Sequence, residues 1–78
     1  MSWEEQGEEG LVRDFELEDF AAAIAFVNRV AEAAENANHH PDILVHDYKR
    51  VRLSLMTHSA GRVTDADHHL ARRIDALA

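Results

Sequence analysis

The chain has 78 residues, fifteen acidic against eight basic, and a formal net charge of −7 at neutral pH. Nucleic-acid binding needs a basic face to displace phosphate counterions, and Arg50, Arg52, Arg62, Arg72 and Arg73 form at most a local patch in a repulsive field, so direct DNA or RNA binding is not expected. There is no cysteine, which excludes disulfides and a cysteine-based zinc site.

A chain this short buries only roughly 60–65% of its unfolded surface, so its own core is marginal. Association with further copies is the usual remedy, and a homodimer or homotetramer is expected. No stretch approaches the ~20 apolar residues of a membrane span. The start, Met1-Ser-Trp-Glu-Glu-Gln, lacks the basic opening and apolar run of a signal peptide. The expectation is one domain over residues 1–78, soluble and cytoplasmic.

Gly7-Glu-Glu-Gly10 is a polar turn signal, and the flanking segments Trp3–Gln6 and Leu11–Leu17 can pair as a hairpin. In the second segment Leu11, Phe15 and Leu17 share one parity, which predicts a half-buried strand with Arg13 interrupting its apolar side. Glu18 to about Asn36 predicts a helix, with Phe20, Ala23, Ile24, Val27, Val30, Ala31 and Ala34 as its apolar stripe. Glu18 and Asp19 suit the positive end of its dipole. Asn36 and Asn38 are candidate exit residues. Pro41 enforces the stop by pushing His40 away from helical angles, which puts two adjacent imidazoles on a stiff corner.

Asp42–Asp47 reads as irregular or strand-like. Val51–His58 then alternates, with Val51, Leu53, Leu55 and Thr57 on one side and Arg52, Ser54, Met56 and His58 on the other. Ser59–Val63 is a loop. Thr64 and Asp67 resemble a capping box that opens a last helix, with Ala66, Leu70, Ile74 and Leu77 as its buried stripe. Runs separated this way favour an α+β fold: a four-stranded antiparallel sheet with two helices packed on one face.

Histidine has an unperturbed pKa of about 6.5, so it gives or takes a proton at little cost near neutrality. Six are present. His46, His68 and His69 fit solvated surface positions. His40 could simply cap the preceding helix as a cation. A metal site is not expected, because adjacent histidines seldom ligate one ion well and no His pair is spaced four apart on a helix. Neither Ser54 nor Ser59 sits in a nucleophile elbow, and no glycine-rich phosphate loop occurs.

Taken together, Glu35, three residues, His39-His40-Pro41, six residues, Tyr48, nine residues, His58, eight residues and Asp67 resemble the active-site pattern of the pterin-4a-carbinolamine dehydratases. Phe15-Glu-Leu-Glu-Asp19-Phe20, Thr57-His58-Ser-Ala-Gly61 and Leu70-Ala-Arg-Arg-Ile74-Asp75 look typical of that family, and Trp3 matches the tryptophan that commonly opens its first strand. Two departures stand out. The family usually places another helix before this tryptophan, which is not expected in a sequence that opens almost at Trp3, and it commonly has a second glycine where this chain has Arg62.

The resemblance implies dehydration of a 4a-hydroxytetrahydropterin by histidine acid–base catalysis, with no metal or redox cofactor. It implies His39, His40 and His58 as the catalytic set. Asn38, Met56, Thr57 and Ser59 would line the pterin site and Asp67 would serve it by orienting an imidazole, with Glu35, Pro41 and Tyr48 in support. The partner expected is a small pterin substrate. The alternative, also implied by the resemblance, is a non-catalytic dimerisation or assembly module that binds a protein partner.

Overall fold

The computed structural model describes residues 2–78. Its elements are β1 (Glu4–Glu5), a single 3-10 turn (Gly7–Glu9), β2 (Leu11–Glu16), α1 (Phe20–Ala37), β3 (Asp42–His46), β4 (Arg50–Leu55) and α2 (Asp65–Asp75). The strands form one antiparallel sheet in the order β1-β2-β4-β3. Leu11, Phe15, Val51, Leu53 and Leu55 share one sheet face and cluster with Ala23, Phe26 and Val30 of α1 and Leu70 and Ile74 of α2. This is the expected α+β arrangement, with both helices on one face. No helix among the described residues is long and apolar enough to cross a membrane.

Arg13 resolves its own conflict with the apolar parity. Its guanidinium lies 4.4 Å over the Phe15 ring and bonds Asp75 Oδ1 at 2.7 Å. Trp3 Nε1–H donates to the same oxygen at 2.8 Å, which ties the start of the chain to the end of α2. Gly10 is needed where β2 begins. It has φ +82°, and a Cβ there would meet the Leu55 carbonyl oxygen at 2.1 Å.

Helix α1 starts one residue past Asp19, whose side chain caps the Ala22 N–H at 2.8 Å, so Glu18 lies outside it. Its buried face is also rotated from the expected stripe. Phe26 and Ala33 are buried, whereas Phe20, Ile24 and Ala31 are exposed and Val27 half-buried. Alanine occurs all round this helix, so apolar periodicity fixes its phase weakly. The large aromatic decides: fully burying Phe26 stabilises the fold by roughly 2–3 kcal/mol.

Residues Asp42–His46 take the strand-like of the two expected forms, as an edge strand paired residue by residue with β4. Strand β4 ends at Leu55, short of His58, because its ladder with β2 ends at the Leu11–Leu55 pair. Thr57 and Arg62 then form an isolated bridge that closes the His58–Gly61 turn. In α2, Ala66 is exposed and Asp67 is fully buried, the reverse of the expected stripe.

Candidate active site

Four chain segments meet at one end of the sheet: the exit of α1, the start of β3, the exit of β4 and the start of α2. The corner after α1 is built by Asn38. It adopts the left-handed conformation (φ 50°, ψ 43°), its N–H reaches the Glu35 carbonyl at 3.1 Å, and His39 N–H reaches the Ala34 carbonyl at 3.0 Å. That double closure ends the helix and is best tolerated by asparagine or glycine. Asn38 therefore aims His39 with its backbone. Pro41 then leads directly into β3.

His39 turns inward. Its Nε2 lies 2.5 Å from Asp67 Oδ1, and the two side chains are 17% and 0% exposed. The other carboxylate oxygen, Oδ2, accepts the Thr64 backbone N–H at 2.9 Å and the Thr57 hydroxyl at 2.8 Å. Thr57 has one hydroxyl proton, and it goes to Asp67. The 2.6 Å contact between the two threonine hydroxyls is therefore donated by Thr64. Thr64 in turn accepts the Asp67 N–H, completing the expected capping box.

This network fixes charge and tautomer. Burial alone would raise the Asp67 carboxyl. The bonds from His39, Thr64 and Thr57, with the His39 charge, outweigh it and hold its pKa below the ordinary 3.8. An ionised carboxylate only accepts, so the shared proton resides on His39 Nε2. In the neutral ring Nδ1 is then the basic nitrogen.

His40 points the other way. Its Nε2 lies 2.5 Å from Glu35 Oε2, with both side chains largely exposed. His58 and Met56 line a hollow of about 450 Å³ with Glu8, Arg62 and Val63. They also line a smaller one of about 160 Å³ with Glu8, Asp42 and Ser54. Neither hollow is lined by His39 or His40. Ser59 is exposed in the turn after His58. Another hollow of about 460 Å³, along β2 near Ala78, contains none of the expected site residues.

Tyr48 is the outlier. It sits in the β3–β4 turn at the opposite end of the hairpin, 60% exposed, with φ 51°. About 17 Å of strand separates it from the histidine corner. Among the described residues, no three His, Asp or Glu side chains are arranged to hold a metal ion.

Sequence reasoning underrated two residues. Thr57, expected in the pterin site, also anchors Asp67 through its hydroxyl. Its parity with Val51, Leu53 and Leu55 already pointed it toward the helix layer. Glu8, on the His58 hollow, carried no signal, because only the fold brings the 3-10 turn there.

The family model for pterin 4 alpha carbinolamine dehydratase matches residues 1–77. The chain is 54% identical over 76 residues to a protein of Thermomicrobium roseum provisionally named pterin-4-alpha-carbinolamine dehydratase, covering 97% of this chain and 80% of that one. A likewise provisionally named protein of Acidobacterium capsulatum gives the same identity and coverage. Among solved structures, a transcriptional coactivator/pterin dehydratase from Brucella melitensis superposes with a TM-score of 0.90 at 37% identity, covering 99% of this chain and 82% of that one. A pterin dehydratase-like protein described as a RuBisCO assembly factor in the alpha-carboxysome gives 0.83 at 30% identity, covering 100% and 90%. By its sequence and by its fold, the chain belongs to the pterin 4 alpha carbinolamine dehydratase family.

Proposed function

We propose that this protein dehydrates a 4a-hydroxytetrahydropterin to the quinonoid dihydropterin, in support of pterin recycling. The hydroxyl leaves C4a with a proton from one imidazole, and a second imidazole receives the proton lost from N5, so one water is released. His39 and His58 are the acid–base pair, and His40 holds the pterin or its developing charge. One observation carries the reading: a buried, ionised carboxylate fixes the His39 tautomer within a network that includes Thr57, the residue next to His58. A histidine that only capped a helix would need no such partner. Each positioned imidazole is worth roughly 10²–10⁴-fold. Asn38, Met56, Thr57, Ser59 and Asp67 shape the pterin site, and Glu35 and Pro41 support the corner. The protein works as a homo-oligomer.

The test is His58→Ala in a carbinolamine dehydration assay, with folding checked by circular dichroism. A fall of 10²-fold or more is expected, and unchanged turnover removes His58 from the set. The second reading, an assembly module, draws on the assembly-factor neighbour and on Phe20 and Ile24, apolar and exposed on α1. Calorimetry with a dihydropterin separates the two: a folded sample that binds none favours the module.

A further inference from the structure

Basic residues are outnumbered in this chain, and those on the sheet find acidic partners. Arg13 pairs with Asp75, Lys49 and Arg50 with Glu16, and Arg52 with Asp14 and Glu9. Arg62 differs. It is exposed in the loop after β4, and it has no ion pair among the described residues. Yet it lines the hollow of about 450 Å³ that His58 shares with Glu5 and Glu8.

Backbone bonds fix its place. The Thr57 N–H donates to the Arg62 carbonyl at 3.2 Å, and the Gly61 N–H to the Thr57 carbonyl at 2.9 Å. Gly61 makes the return with φ +67°. The turn therefore closes with Arg62 across from Thr57, the residue before His58.

Pterin chemistry says what would meet this cation. Dehydration takes a hydroxyl from C4a and a proton from N5. C6, which carries the side chain of the ring, is bonded to N5. An imidazole serving the C4a–N5 edge therefore has that side chain for a neighbour, and so does a residue held in the same closed turn. The hollow falls within the roughly 300–1,000 Å³ of small-molecule sites. A guanidinium offers paired N–H donors that match the oxygens of a carboxylate or phosphate. Glu5 and Glu8 act oppositely, repelling any anion that Arg62 does not hold.

We propose that Arg62 selects a pterin whose C6 side chain ends in an anion, a carboxylate or a phosphate. The proposal rests on the dehydratase reading and names the substrate class for it. Arg62 is a specificity residue and takes no part in proton transfer.

Calorimetry on the full chain compares 7,8-dihydroneopterin, whose side chain is neutral, with its 3′-monophosphate and with 7,8-dihydrofolate, whose side chain ends in carboxylates. At least one of the two anionic compounds should bind about tenfold more tightly than the neutral one. The phosphate alone, or the folate alone, identifies which anion is taken. Arg62→Gly should abolish or reverse the preference, because Glu5 and Glu8 remain. Arg62→Gln, which keeps a side chain in the turn, should do the same, and Arg62→Lys should retain most of it. Circular dichroism checks that each variant is folded. Wild type that binds neither anion more tightly, or a preference that survives in both Arg62→Gly and Arg62→Gln, overturns the role of Arg62 and leaves the dehydratase reading standing. A folded wild type that binds none of the three compounds overturns both.

Discussion

His39 and His40 are neighbours in the chain, and each places Nε2 2.5 Å from a carboxylate, yet they occupy opposite surroundings. The His39–Asp67 pair is buried and tied to Thr57 and Thr64, while the His40–Glu35 pair lies largely in solvent. Equal distances therefore do not mean equal strength. In water the attraction of such a pair is screened and offset by side-chain entropy, to about 0–1 kcal/mol. In the interior, removing one partner strands the other and costs about 3–5 kcal/mol. The left-handed turn at Asn38 sends one ring to each environment. The inner imidazole is held in a single tautomer, and the outer one lies largely in solvent against Glu35.

Four substitutions test this contrast, from the largest expected effect to the smallest. His39→Ala removes the oriented imidazole, and on the proposed reaction the dehydration rate should fall roughly 10²–10⁴-fold, read by single-turnover kinetics. Asp67→Ala leaves His39, Thr57 and the Thr64 N–H without their shared acceptor. Urea unfolding should show a loss of about 3 kcal/mol. Thr57→Val deletes one of three bonds to that carboxylate, for a loss of about 1–2 kcal/mol by the same measurement. Glu35→Gln should change stability by less than about 0.5 kcal/mol. A Glu35→Gln loss as large as that of Asp67→Ala would break the comparison between buried and exposed pairs.

Acid sharpens it further. The folded pKa of Asp67 lies below its ordinary 3.8, so the unfolded chain binds more protons between the two values. Stability from this group is therefore complete above pH 3.8 and is lost as pH falls through the folded value. Urea midpoints measured downward from about pH 5 should fall less steeply for Asp67→Asn than for wild type. Equal slopes would show that Asp67 keeps its ordinary pKa in the fold.

Much of the architecture was legible because it rests on strong local signals. The alternation of β4, Pro41 after the histidines, and the Thr64–Asp67 box each act through near neighbours. Phase within α1 was harder to read, since its many alanines are compatible with several faces and only the burial of Phe26 chooses among them. The depth at which Asp67 sits was not legible for a related reason. A carboxylate at the third position of a helix reads as a surface cap, and nothing local reveals that α2 turns it under the sheet end, where Thr57 and His39 both need an acceptor. The His39–Asp67 contact joins residues far apart in the chain, and their shared spacing pattern was its only trace. Tyr48 shows the converse. Spacing grouped it with the histidines, but the β3–β4 hairpin carries it to the other end of the sheet.

The central claim is that His39, His40 and His58 face one pterin. The direct measurement is an NMR titration of the ring-labelled protein with 7,8-dihydrobiopterin, following all six histidines. The signals of His39, His40 and His58 should move together with a single Kd while those of His46, His68 and His69 stay in place. Saturable binding that leaves His39 and His58 unmoved, or no binding by the folded protein, would contradict the account.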